Sequence, residues 1–156
     1  MANIVTVYHA LKPVIRGAFV NRKRYQSAYN AFVQANVGAM PVVRWDKATA
    51  ILLPHPDIYI KGGQLGELLI ASAASDESSF TFQSLSNELK VGDVLRTFKY
   101  DFNLETSEMY EYVLTAPQIA TGFVNTVWNN PSTGIVLAYI ITADRKKSTT
   151  CKALYY

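Results

Sequence analysis

The sequence predicts a mainly β protein of the α+β class. An Ig-like antiparallel β-sandwich fills residues 41–156, and an N-terminal helical hairpin flanks it within residues 1–40. Three observations lead there. Between Leu11 and Val37, apolar residues recur every three or four positions, the period of one helix face. From Val42 onward, short β-branched and aromatic runs alternate with turn residues at the spacing of all-β domains. The final stretch, Gly134 to Tyr156, reads as a hairpin whose two β-rich runs enclose the charged loop Asp144-Arg145-Lys146-Lys147. Its first run is apolar on both faces: Ile135, Leu137, Tyr139 and Ile141 on one, Val136, Ala138 and Ile140 on the other. Such a strand belongs in the middle of a core. At 156 residues the chain fits one domain with a sizeable core.

Taken in order, Ile4 to Tyr8 alternates as a short strand. The first helix starts near Leu11, so that Pro13 falls in its first turn. Leu11, Val14, Ile15, Ala18 and Phe19 form its apolar stripe, and Gly17 weakens it. Asn21-Arg22-Lys23-Arg24 breaks the pattern. In the second helix, Tyr25, Ala28, Tyr29, Phe32, Val33 and Val37 share a face, opposite Gln26, Asn30 and Gln34. Gly38 ends it and Pro41 prevents its resumption. Two short helices around a loop resemble a DNA-binding helix-turn-helix. The second helix, however, carries Gln and Asn but no Arg or Lys on its polar face. A hairpin packed on the flank is therefore favoured, and nucleic acid is not an expected partner.

Strand texture begins at Val43 and Trp45 and continues in Thr49 to Leu53. Pro54-His55-Pro56-Asp57 is a turn or extended link, since each proline pushes its predecessor out of helical geometry. Ile58 to Ile60 is a strand stub ended by Lys61-Gly62-Gly63. Leu65 to Ala74, Phe80 to Ser84, Asp93 to Phe102, Met109 to Thr115 and Gln118 to Trp128 follow as strands. Between them lie the solvated loop Ser75 to Ser78, the link Ser86 to Gly92 and the turns Glu105-Thr106-Ser107 and Asn129 to Ser132.

Composition bears on function. Charged residues make up 17% of the chain, against about 25% in typical soluble domains. Part of the surface is thus expected to be committed to a partner. Ten Tyr and seven Phe suit strands or an aromatic contact surface. A net charge of +3 is too mild to name a partner. The single cysteine, Cys151, excludes an internal disulfide and reads as a small buried hydrophobe. The start shows no secretory signal, and no apolar run reaches the roughly 18 residues of a membrane span. A product that stays in the cytoplasm, or is built into a particle there, is expected.

No catalytic constellation emerges. His9 and His55 are the only histidines, and neither has a partner set for a metal or a triad. Glu67 with Asp76 and Glu77, and Glu105 with Glu108 and Glu111, read as solvated acids. Lys61-Gly62-Gly63-Gln64-Leu65-Gly66 lacks the Lys-Ser/Thr of a phosphate loop, and Glu67 follows it. No enzyme activity, cofactor or metal is therefore expected. Arg22, Lys23 and Arg24 form the most suggestive patch. They should be exposed while Phe19 and Tyr25 anchor the loop ends, and they suit acidic groups on a neighbouring subunit. Tyr100, Tyr110 and Tyr112 are candidates for a second contact surface, a stacking face.

Three segments carry a resemblance: L-K-P-V-I-R-G-A-F (Leu11 to Phe19), S-A-Y-N-A-F-V-Q-A-N-V-G-A (Ser27 to Ala39) and I-K-G-G-Q-L (Ile60 to Leu65). They precede the terminal A-Y-I-I-T-A-D-R-K-K-S-T-T-C-K-A-L-Y-Y. In this order they resemble a family of uncharacterised proteins of gut and environmental bacteria and their phages. Its members combine a Leu-Lys-Pro helix, an Asn/Ala-rich helix and an Ig-like sandwich ending in a similar strand pair. Longer members carry a Gly-rich leader, and no role of that leader is carried over. The resemblance implies a non-enzymatic structural component of a phage virion, capsid-auxiliary or tail- or portal-associated. Such a component would form homo- or hetero-oligomers with protein subunits of the same particle. The alternative is a cytoplasmic bacterial binding module for a peptide or glycan, using the three tyrosines.

Overall fold

The computed structural model describes residues 9, 11–12, 15–20, 22–36, 44–46, 51–53, 59–60, 64–72, 79–84, 86–101, 106–127, 134–152 and 154–155. In chain order the described elements are α1 (Ala28–Asn36), β1 (Arg44–Asp46), β2 (Ile51–Leu53), β3 (Tyr59–Ile60), β4 (Gln64–Ser72), β5 (Ser79–Ser84), β6 (Val94–Asp101), β7 (Thr106–Val113), α2 (Ala116–Thr121), β8 (Phe123–Val127), β9 (Gly134–Ile141), β10 (Ser148–Lys152) and β11 (Leu154–Tyr155). The fold is mainly β, with few helices. One mixed sheet runs in the order β7-β6-β9-β10-β4-β5-β8, with β11 also on β9 and β3 on β10. β1 and β2 pair separately.

The sheet is organised around β9. Every residue from Ile135 to Ile141 is buried, and alternation divides them between two cores. Ile135, Leu137, Tyr139 and Ile141 join Leu11, Ile15, Phe19, Phe32 and Phe98, so the N-terminal segment and α1 cover this face. Val136, Ala138 and Ile140 join Leu68, Phe80, Phe82, Leu95 and Val124. These come from both ends of the strand order, and they meet because the sheet curls over its second face. Burial of both faces explains why this stretch reads as continuously apolar.

The expected division into two stacked antiparallel sheets is therefore replaced by one continuous curled path. β10 also runs parallel to β4, while the other pairings are antiparallel. Alternating apolar residues mark an inward face. They carry neither strand direction nor whether two inward faces belong to two sheets or to two halves of one.

Two irregularities shape the centre. Ser148 lies opposite Ile141, but Leu154 lies opposite Val136, so the terminal strand carries one extra residue. Within this stretch the buried Thr149 hydroxyl accepts the Ile140 N–H at 2.9 Å, so that amide keeps a partner. In β4, three steps from Gln64 to Glu67 match two from Ser148 to Thr150. Gly66 absorbs the excess at φ 72°, a conformation glycine adopts without strain. Gly66, the last glycine of the run Lys61 to Gly66, thus belongs to a strand.

Residues 9, 11, 12 and 15 are helical, and the Arg16 N–H bonds the Lys12 carbonyl at 3.2 Å. The Ser148 hydroxyl donates to the Ala18 carbonyl at 3.2 Å, tying this segment to the sheet. α1 begins at Ala28, later than the apolar period suggests, because the Ser27 hydroxyl caps it by accepting the Asn30 N–H at 3.1 Å. Tyr25 is left outside and is 90% exposed, so it does not anchor the loop as expected. Phe19 does, in the core. The strand expected from Gln118 to Trp128 divides into α2 and β8. Pro117 stands in the first turn of α2, and the Gln118 side chain accepts the Thr115 N–H at 3.0 Å. This T-x-x-Q pattern is a helix-start signal. The expected strand at Ile4–Tyr8 and the turns at Pro54–Asp57 and Asn129–Ser132 lie outside the described residues.

Cys151 is buried on β10, as expected for a small hydrophobe. Burial pushes its thiol up to about 12. The native protein should therefore resist thiol reagents near pH 8, and denaturant should release one reactive thiol per chain. Stability has a matching pH dependence. The raised folded pKa leaves this contribution intact below the unfolded value and erodes it between about pH 9 and pH 12, where only the unfolded chain ionises. Native labelling at the rate of an exposed thiol would contradict the burial.

Candidate functional site

Arg22, Lys23 and Arg24 are exposed, as the sequence suggests. Their loop is held by short local bonds. Arg22 Nη1 donates to the Phe19 carbonyl at 3.0 Å, and the Lys23 N–H donates to Gln26 Oε1 at 3.3 Å. The Arg24 guanidinium lies 5.3 Å from the Tyr25 ring centroid.

Folding brings three further cations to this run. Arg16 from the first helical segment, Arg96 from β6 and Arg145 from the β9–β10 loop join Arg22, Lys23 and Arg24 around one cleft of about 430 Å³. Val20 and Ile141 supply its apolar wall. Among the described residues, the only salt bridge to any of the six is that of Arg96 with Glu111.

Arg96 forms the floor. On three adjacent strands, Glu111, Arg96 and Tyr139 lie directly opposite one another. Arg96 Nε donates to Glu111 Oε1 at 2.7 Å, and Nη1 donates to the Tyr139 hydroxyl at 3.0 Å. Burial opposes the charge on Arg96, but its bonds and attraction to Tyr139 and Glu111 outweigh this and raise its pKa. Burial likewise raises the Tyr139 phenol against the pull of Arg96, so Tyr139 keeps its proton. Gly17 makes the close approach possible. A Cβ there would stand 2.6 Å from Arg96 Nη1 and 2.9 Å from the Tyr139 hydroxyl.

Arg145 sits in left-handed backbone at φ 60°. Its N–H bonds the Thr142 carbonyl at 2.8 Å, and Asp144 Oδ1 accepts from both Thr142 Oγ1 and the Lys146 N–H. The Thr142 hydroxyl, then that N–H, lowers the Asp144 pKa.

The aromatic candidates do not share one face. Tyr110 and Tyr112 lie opposite Thr97 and Leu95, whereas Tyr100 lies opposite Ser107 and Ile135, on the alternate parity of β6. Tyr112 packs against the second core. Tyr110 is 41% exposed and donates to Glu108 Oε2 at 3.1 Å, which is the main cause of its raised pKa. β7 ends the strand order, and Met109 and Val113 beside Tyr110 are 45% and 63% exposed.

Among the remaining candidates, His9, Glu67, Glu108 and Glu111 are exposed, while His55, Asp76, Glu77 and Glu105 lie outside the described residues. Among the described residues, no helix is long and apolar enough to cross a membrane. The sequence reading missed Arg16, Arg96 and Arg145 as partners of the basic loop. Arg96 had a signal: a charge at the same parity as Val94 and Phe98 on an inward face. No protein-family model, curated protein or solved structure matches the chain.

Proposed function

We propose that this chain is a non-enzymatic structural component of a phage particle, capsid-auxiliary or tail- or portal-associated, working through contacts with neighbouring subunits. The carrying observation is β7. It is an eight-residue strand at one end of the sheet with three large apolar side chains in water. An edge of this kind is a ready template for another chain, and natural proteins cover it unless it is used. The low charge, the Tyr and Phe content and the resemblance to the bacterial and phage family support the same reading. Of the Ig-like plan which that family suggests, the β-rich body and the helical cover over one face are its supports here. The peptide- or glycan-binding module draws less support, because Tyr100 stands on the other face from Tyr110 and Tyr112.

Light scattering on the purified chain, with capture of capsid and tail proteins, tests the proposal. Wild type should self-associate or bind a particle subunit, and a Met109→Lys/Val113→Lys variant should do neither while melting normally. A chain that stays monomeric and captures no particle protein overturns it. A companion variant carrying Ser at Arg22, Lys23 and Arg24 should melt within about 0.5 kcal/mol of wild type, because exposed charges contribute little to stability. If these charges also steer subunit docking, that variant assembles more slowly at low salt and normally at high salt.

A further inference from the structure

We infer that the cation-lined cleft is a binding site for a ligand carrying two or more linked phosphoryl groups. This goes beyond the subunit contacts proposed for Met109, Tyr110 and Val113 of β7 and does not depend on those three side chains. Charge is the first argument. Six cations surround one cavity, and Glu111 is the only carboxylate among the described residues that pairs with any of them. A cleft lined by this many cations favours an occupant bearing several negative charges.

Geometry is the second argument. The cations arrive from four separate stretches of chain, at Arg16, at Arg22 to Arg24, at Arg96 and at Arg145. They therefore line an open cleft from several sides rather than form a stripe along one element. A planar carboxylate takes one or two guanidinium forks, whereas tetrahedral phosphoryl groups offer acceptors in several directions. Five of the six cations are arginines, the residue suited to bidentate oxyanion contacts.

Preorganisation is the third. Glu111 and Tyr139 hold Arg96 through Nε and Nη1, and no described bond uses Nη2. Phe19 holds Arg22, and the tight loop fixes the backbone of Arg145. Guanidiniums ordered before binding lose less entropy when they engage a ligand. Finally, about 430 Å³ exceeds what a lone phosphate fills and falls within the range of small-molecule pockets. Two sources share this chemistry: a free nucleoside di- or triphosphate, and the triphosphorylated end of a nucleic acid.

Titration calorimetry at low salt tests the inference with pyrophosphate, ATP, AMP, citrate, a polyglutamate peptide and a 5′-triphosphorylated oligonucleotide. Pyrophosphate and ATP should saturate one site and bind about tenfold or more tighter than AMP or citrate. A double Arg22→Ser/Arg145→Ser variant, altered only at exposed positions, should lose about tenfold or more while melting like wild type. Gly17→Ala, which displaces Arg96, should also weaken binding. Tighter binding of ATP than of the oligonucleotide names the free nucleotide as the source, and the reverse names the nucleic-acid end. Citrate or polyglutamate equalling pyrophosphate overturns the inference in favour of a carboxylate-bearing partner. Absence of saturation, or unchanged binding by the double variant, also overturns it. None of these outcomes bears on whether β7 joins subunits.

Discussion

Phe32→Ala should lower the unfolding free energy by about 3–5 kcal/mol, the usual cost of deleting a fully buried aromatic. Phe32 has no solvent exposure and meets the Phe19 ring edge-on at 6.4 Å between centroids. It shares its core with Leu11, Ile15, Phe98, Leu137 and Tyr139. Its helix, α1, has nine residues, too few to persist without tertiary contacts. Two losses therefore combine, a cavity under the helix and the main anchor that orders it. The buried Asn36 side chain donates to the Phe32 carbonyl at 3.0 Å, so loosening the helix end also exposes a polar network. Denaturant titration reads the stability, and hydrogen exchange in α1 reads the local loss. A cost below about 1 kcal/mol would mean that α1 does not rest on this core.

The contrast with the triple serine variant reflects what the sequence made legible. Apolar period and charge separate the inward face of α1 from the water-facing basic loop without any knowledge of the fold. Both faces of β9 were legible for the same reason, because its two alternating sets of apolar residues are what a strand between two cores requires. Tyr25 misled because it continues the helical period, whereas the Ser27 cap decides where the helix begins. Gln118 misled because the apolar residues around it outweighed a short capping signal.

The cleft was legible only in part. Arg22, Lys23 and Arg24 are contiguous, so composition alone marks them. Arg16 lies in the preceding helical segment, off its apolar stripe, and Arg145 stood in the charged loop of the terminal hairpin. Arg96 reaches the same cleft only because β6 pairs with β9 and β9 faces the N-terminal segment. Those contacts depend on strand order, which alternation does not encode. Arg96 needed Tyr139 and Glu111 at matching register positions on its two neighbours, and register comes from pairing rather than from either strand alone.

Phe82→Ala should cost about as much as Phe32→Ala, roughly 3–5 kcal/mol, but should loosen a different part of the molecule. Phe82 is buried on β5, between Ile70 of β4 and Val124 of β8 in register. Its cluster also contains Leu95, Ala138 and Ile140 from β6 and β9, strands on the other side of the sheet order. Only the curl brings these groups together, so Phe82 fills the inside of the bend. Among the described residues, β8 is paired in the sheet by β5 alone. Hydrogen exchange in β8 should therefore rise first, while α1 stays protected, the reverse of the Phe32 variant. Because the two phenylalanines lie in separate clusters on opposite faces of β9, their costs should add to within about 0.5 kcal/mol. A larger deviation would show that the two cores are coupled, through the alternating β9 side chains or through Ile70, which packs against both. A Phe82 variant that keeps wild-type stability and a protected β8 would instead mean that the inside of the curl is not packed by this side chain.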